Sequence, residues 1–241
     1  IGMLALPSNT SGMRNVGVGA NTLQGNMTGN NNTAVGHNAL SCHVNYPNQS
    51  NNTAVGCAAG YLNGAYTNTT CLGNQSVVTG SNQVQLGNTM TTTYVFGTVQ
   101  NRSDARDKAD IVDSNIGLDF ILGLRPVEGV WDLRDDYIEY TEVKAVDDKG
   151  VETVTIERKE LERDGSKKRS RKHQWFIAQE VKELCDRLGV DFGGYQDHSI
   201  SGGADVLSLG YDEFIPLAVK AIQECWQRLD KLEERISKLE Q

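Results

Sequence analysis

Asn15-Val16-Gly17-Val18-Gly19, Asn32-Thr33-Ala34-Val35-Gly36 and Asn52-Thr53-Ala54-Val55-Gly56 are three copies of one five-residue phrase. Thr69-Thr70-Cys71-Leu72-Gly73 and Gln83-Val84-Gln85-Leu86-Gly87 repeat it more loosely, and the closing glycines are 17, 20, 17 and 14 residues apart. Each copy places small or β-branched residues at alternate positions and then turns on Gly, the pattern of a short half-buried strand between turns. A unit this short cannot bury its own apolar face, so neighbours must stack, which predicts a β-solenoid. The apolar positions are mostly Val and Ala. Burial at about 25 cal/mol per Å² therefore gains little against roughly 1–2 kcal/mol of backbone entropy per ordered residue. Intertwining of identical chains is expected to supply the difference.

Charge divides the chain in two. Of 241 residues with net charge −8, only Arg14 is charged between Ile1 and Gln100, so 22 of the 23 Lys+Arg and all 31 Asp+Glu lie from Asn101 onward. The balance excludes a global basic patch, so no nucleic-acid partner is expected. No apolar run approaches the ~18 residues of a membrane span, so no membrane partner is expected either. Ile1 to Pro7 lacks a basic n-region and reads as the cut end of a longer protein. The five cysteines, Cys42, Cys57, Cys71, Cys185 and Cys225, show no CxxC spacing and imply neither a metal site nor a disulfide framework; reduced thiols are expected. The Asn-x-Ser/Thr triplets at Asn26, Asn31, Asn51 and Asn68 are chance products of the composition.

From Asn101 the chain reads as an α+β domain. Asp113 or Ser114 is expected to cap a short helix carrying Ile116, Phe120, Ile121 and Leu124, ending at Arg125-Pro126. A strand is expected over Val127–Trp131. A hairpin with a charged face is expected over Tyr137–Val146 and Val151–Leu161, turning at Asp147-Asp148-Lys149-Gly150. The basic run Lys167–Lys172 reads as a solvated hairpin end. A second helix, about Trp175 to Leu188, carries Ile177, Val181, Leu184 and Leu188 and stops at Gly189. Gly193–Gly203 reads as irregular, Val206–Leu209 as a strand, and Asp212 as the cap of a last helix.

That last helix carries heptads over about 213–241. Ile215, Ile222, Leu229 and Ile236 recur every seven residues, as do Ala218, Cys225, Leu232 and Leu239, giving the a and d positions of a coiled coil. Arg228 with Glu233, and Arg235 with Glu240, are opposite charges at g and e positions and favour parallel, in-register association of like chains. The association residues are therefore Ile222, Cys225, Leu229, Leu232, Ile236 and Leu239. The heptads fix association better than they fix its number.

At the junction of the two compositions stands Arg102-Ser103-Asp104-Ala105-Arg106-Asp107-Lys108. A Ser with a Lys nearby is a nucleophile and base pair when the lysine is neutral, which requires burial or neighbouring positive charge such as Arg106. Three further motifs follow in order: Leu118 to Val127, Phe176-Ile177-Ala178-Gln179-Glu180-Val181, and Leu209 to Leu217. Together with the terminal heptads, the stretch from about Ser103 to Gln241 resembles the C-terminal intramolecular chaperone domain of phage tail spikes and fibres, the endosialidase-type self-cleaving serine peptidases. The uncharged repeats resemble the head repeats of trimeric adhesins and the stems of viral fibres. Two departures are visible: Trp175 stands where the family pattern has Gly, and the hairpin from Tyr137 to Lys172 is long.

The resemblance implies an intertwined trimeric β-helix or solenoid stem over 1–102 and a trimerising chaperone and autopeptidase domain over 103–241. It implies Ser103 as nucleophile, Lys108 as base and Arg102–Ser103 as the scissile bond, with Asp104 and Arg106 supporting the motif. The expected function is templating of the preceding stem followed by self-release. Expected partners are two further copies of the chain and the remainder of a parent fibre or spike. The expected place is a virion appendage assembled in host cytoplasm, where the released fragment stays. No phosphate-cradling loop is present, and no cofactor is expected. The alternative readings are a non-cleaving structural trimeric fibre tip and a receptor-binding module in the uncharged segment.

Overall fold

The computed structural model describes residues 1–41, 47–61, 64–146 and 152–240. Cys42, Val151 and the turn expected at Asp147–Gly150 lie outside them, as do the side chains on which the hairpin's charged face rests. The chain forms two compact units, whose division does not follow the composition break. One holds Ile1–Thr98, Leu133–Lys167 and His198–Val206; the other holds Val99–Asp132, Lys168–Asp197 and Leu207–Gln241.

In the first unit the five phrases become five strands, β1 (Val16–Val18), β2 (Thr33–Val35), β3 (Thr53–Val55), β4 (Thr70–Leu72) and β5 (Val84–Leu86). They stack in parallel in sequence order, forming a β-solenoid of about four turns. The register follows the repeat, so Gly17, Ala34, Ala54, Cys71 and Gln85 lie one above another. Ala34, Ala54 and Cys71 are fully buried, and Leu23, Ala39, Leu40, Ala59 and Val78 complete the core. Inward residues must be small because a single chain closes each turn around a narrow interior.

Much of the remaining interior is an asparagine ladder. The Asn15 Oδ1 accepts from Asn32 N at 3.0 Å, Asn32 Oδ1 from Asn52 N at 3.0 Å, and Asn52 Oδ1 from Thr69 N at 3.1 Å. Each amide nitrogen in turn donates to a carbonyl: Gly29 at 2.7 Å, Gln49 at 2.8 Å and Tyr66 at 3.1 Å. Buried backbone groups at the corners, which sheet pairing cannot reach, are satisfied in this way. The corners repeat too: Asn31, Asn51, Asn68 and Asn82 all have φ between 56° and 62°, a left-handed conformation that Asn tolerates. Gly36 (φ 127°) is a site where no side chain fits, since a Cβ would lie 2.4 Å from the Gly56 carbonyl oxygen of the next turn. Within one chain β1 to β5 pair in sequence order, and the ladder supplements the thin apolar core.

Beyond residue 98 the order is α1 (Leu118–Gly123), β6 (Val127–Val130), β7 (Ile138–Val146), β8 (Glu152–Glu160), β9 (Lys172–Trp175), α2 (Ala178–Leu188), β10 (Tyr195–Asp197), β11 (Leu207–Leu209) and α3 (Phe214–Leu239). Three antiparallel pairs form: β6 with β9, β7 with β8, and β10 with β11. Both segments that join the first unit are thus excursions between paired strands, one between β6 and β9 and the other between β10 and β11. The 198–206 excursion packs on the solenoid's last turns. Ala204 N donates to Thr79 O at 2.6 Å, and the His198 Nδ1 lies 2.7 Å from Thr79 Oγ1 and 3.0 Å from Gln83 Nε2.

The second unit has an aromatic core of Phe120, Phe192 and Phe214 with Val181, Leu184, Cys185 and Leu217. Several sequence expectations are corrected here. Neither Asp113 nor Ser114 caps α1; Ser114 Oγ turns back on Ile116, and Leu118 N donates to Glu224 Oε2 of α3 at 2.8 Å. Asp212 makes no cap on α3, which begins without a side-chain cap hydrogen bond. Trp175 belongs to β9 rather than to the second helix, and the segment expected to be irregular contains β10. The buried stripe of α2 is Val181, Leu184 and Cys185, while Leu188 is exposed; Gly189 closes the helix with φ 65°, as its position predicts. Burial pushes the Cys185 thiol up, which fits an unreactive core residue.

Candidate processing site and association surface

The junction motif folds on itself. Asp104 ends an extended stretch and its Oδ1 accepts from Arg106 N at 2.9 Å, capping a 3-10 turn over Ala105–Asp107. That turn reverses the chain, and Lys108 Nζ donates to Ser103 Oγ at 2.8 Å. Five residues of separation become a direct hydroxyl-to-amine contact because one tight turn lies between them. The Arg106 guanidinium is engaged by Asp104, with Nη2 2.5 Å from Oδ2. Those hydrogen bonds from Arg106 hold the Asp104 carboxyl below its ordinary value and raise Arg106 in turn. Arg106 therefore fixes the cap, a role distinct from the sequence expectation of a positive neighbour for Lys108.

The two residues before Ser103 are both held. Arg102 Nε lies 2.7 Å from Asp107 Oδ2, and Asn101 Nδ2 donates to Asp212 Oδ2 at 3.3 Å. Asp212, expected as a helix cap, instead anchors the chain two residues before the serine. Ser103, Lys108 and Arg102 are all exposed. A lysine accepts a proton only as the neutral amine, and removal from water is what favours that form. The single chain supplies the geometry of the pair and leaves both side chains in water.

The other motifs meet in the core of the second unit. Phe176 stacks on Phe214 with centroids 5.2 Å apart, and its backbone N donates to Tyr211 Oη at 3.0 Å. Arg125, at the end of the Leu118–Val127 stretch, binds Glu180 through Nη2–Oε1 and through Nε–Oε2 at 3.0 Å. That bidentate pair holds the Glu180 carboxyl below its ordinary value. The motifs are therefore core-builders, apart from the Ser/Lys turn.

Helix α3 presents two faces. Phe214, Leu217 and Ala221 are buried against their own unit. The heptad residues Ile222, Cys225, Leu229, Leu232, Ile236 and Leu239 are all exposed, Ile222 to 69% and Leu229 to 52%. Leu118, Ile121, Ala221, Ile222, Cys225 and Leu229 line much of an apolar groove of about 420 Å³ between α1 and α3. Arg228, assigned by sequence to pairing between chains, lies 3.8 Å from Asp119 in the single chain.

Among the described residues no group of three metal-ligating side chains converges, and no helix is long and apolar enough to cross a membrane. Sequence reasoning singled out Ser103, Lys108 and the heptads, and the structure brings Ser103 and Lys108 into contact and leaves the heptad residues exposed. It missed Asp212 as an anchor, Glu224 as the α1 cap and His198 as a solenoid contact, all of which act across more than a hundred residues. Compared with family models, curated proteins and solved structures, the chain finds no match.

Proposed function

We propose that the protein is a self-removing assembly domain attached to a solenoid stem. Three copies associate through α3, the excursions steady the stem, and each chain then cuts itself between Arg102 and Ser103. The observation that carries the reading is the 2.8 Å contact from Lys108 Nζ to Ser103 Oγ, placed where the uncharged stem gives way to the charged domain.

The chemistry uses these residues alone. Neutral Lys108 takes the hydroxyl proton as Ser103 Oγ attacks the Arg102 carbonyl carbon through a five-membered ring. The Arg102–Ser103 C–N bond breaks, the proton passes to the departing amine, and an ester joins Arg102 to Ser103 Oγ. Water then hydrolyses the ester, leaving a carboxylate on Arg102 and free amine and hydroxyl on Ser103. Because both groups are exposed in one chain, association is the step that desolvates the pair and turns cutting on. The stem is thus released only after it has been aligned.

Parallel helices also supply what a Gly-rich repeat lacks. A stack of near-identical turns specifies its register weakly, and tethering copies at one end raises the effective concentration of stem ends and aligns them. Contact between the 198–206 excursion and Thr79 and Gln83 supports such a templating role. A purely structural trimeric tip shares every feature except the cut. Ser103→Ala separates the two: wild-type chain should yield a fragment whose first residue is Ser103, and the variant should stay whole. Identical full-length bands from both would leave only the structural tip.

A further inference from the structure

The aromatic residues of the second unit fall into two groups. Phe120, Phe192 and Phe214 fill its core, whereas Trp131 and Trp175 take no part in it. The register of β6 with β9 sets Gly129 opposite His173, and the alternation of each strand gathers Gly129, Trp131, His173 and Trp175 on one face. At Gly129 a Cβ would stand 3.1 Å from Trp175 Cζ2, so the indole lies over bare backbone. The Trp175 ring is 4.8 Å from that of Trp131 and 5.8 Å from that of His173, with 14° between the planes of the last pair. Three rings therefore make one continuous π surface, and Trp131 is 48% exposed.

On the opposite face the polar groups satisfy one another. Glu128, the one carboxylate of this strand pair, accepts from Lys172 Nζ at 2.7 Å and from Gln174 Nε2 at 3.1 Å. Beside the aromatic face the charge is positive and unmatched. Arg169 N donates to Trp131 O at 2.8 Å, which brings the stretch Lys168–Lys172 against Trp131. Lys168 and Arg171 are exposed and make no ion pair among the described residues.

Rings edged by unpaired cations fit a ligand that is both flat and anionic. A single nucleic-acid strand supplies a stacking base and a phosphate in every nucleotide. A duplex hides its base faces in its own stack, a neutral sugar leaves the cations unmatched, and an acidic peptide leaves the rings unmatched. Three rings and two cations suit successive nucleotides better than one. We infer that this face of β6 and β9 binds single-stranded nucleic acid, stacking bases on Trp131, His173 and Trp175 and pairing phosphates with Lys168 and Arg171. The charge balance excludes a basic surface across the whole chain, but folding makes a local one by joining Trp131 to the basic run. The net charge of −8 opposes anions at longer range, so binding is local and sensitive to salt. Trp175 stands where the family pattern has Gly, so the surface belongs to this chain, and it needs neither the association nor the cut proposed above.

Fluorescence anisotropy of labelled oligo-thymidine and oligo-uridine, titrated with full-length Ser103→Ala chain at low salt, tests it. At least one strand should bind, and the tighter of the two tells DNA from RNA. The logarithm of affinity should fall against that of salt with a slope of about −1.4, the value for two phosphate contacts on a single strand. Trp131→Ala should weaken binding at least ~5-fold. Lys168→Gln/Arg171→Gln, which changes only exposed side chains, should weaken binding and flatten the salt slope towards zero. Duplex DNA and thymidine monophosphate should bind at least ~10-fold more weakly than the strand. Failure of both strands to bind, equal binding of the duplex or the mononucleotide, or either variant binding like its parent would overturn the assignment.

Discussion

Replacing Asn52 with alanine tests whether the polar ladder holds the solenoid. Asn52 is 1% exposed, and its side chain serves three groups. Its Nδ2 donates to Tyr66 O at 3.1 Å, and its Oδ1 accepts from Thr69 N at 3.1 Å and Thr69 Oγ1 at 2.8 Å. Alanine removes all three partners from a site with little room for water. Each buried polar group deprived of its partner costs about 1–3 kcal/mol. The three are coupled, so the sum is on the order of 3–6 kcal/mol, set against a total stability of about 5–15 kcal/mol for an ordinary domain. Urea unfolding of full-length Ser103→Ala chain, followed by circular dichroism and by exchange of the β2 and β3 amides, measures the loss. Asn74→Ala is the control, because Asn74 is exposed and its amide reaches only Cys57 O at 3.3 Å, so a change within about 0.5 kcal/mol is expected. An Asn52→Ala chain within about 1 kcal/mol of its parent would refute the ladder as a principal support.

Two further outcomes follow from the second unit. Glu224→Ala removes the acceptor for Leu118 N, leaving the start of α1 uncapped; a loss of roughly 0.5–2 kcal/mol is expected, and faster exchange of the first α1 amides should locate it, so an unchanged α1 would contradict the role. The hydrogen bonds from Arg106 keep Asp104 charged below the ordinary carboxylate range. Its contribution to the turn is therefore present above that range and is lost as pH falls through the lowered value. Carboxyl NMR titration should show Arg106→Gln moving the Asp104 midpoint upward towards the ordinary value, and an unmoved midpoint would refute the pairing.

The solenoid was legible because its code is local and repeated. Val16, Thr33, Thr53, Thr70 and Val84 stand second in phrases that align by eye, and the same alignment is the strand register. Gly189 and the Ser103/Lys108 spacing were legible for the same reason, since a helix stop and a tight turn are decided within a few residues. The ladder's role was not, because Asn reads as a turn residue until its side chain is seen reaching one repeat along the stack. The cap of α1 was misread because a polar residue before an apolar run is only a local rule. Ser114 satisfied itself on Ile116, and the carboxylate of Glu224, 106 positions from Leu118, took its place. In α3 the heptads were plain, but the face turned to its own unit, Phe214, Leu217 and Ala221, lies beside them in the sequence and carries no mark of which partner it meets.

The dependence of cutting on association is the most direct test of the proposed function. Wild-type chain and a Leu229→Asp/Ile236→Asp variant are compared by light scattering and intact mass, since both substitutions fall on the exposed stripe of α3 and leave Ser103 and Lys108 in place. Wild-type chain should associate as trimers and yield fragments 1–102 and 103–241, while the variant should remain monomeric and uncut. A monomeric variant that cuts as fast as wild type, or a wild-type chain that is monomeric and intact, would contradict it.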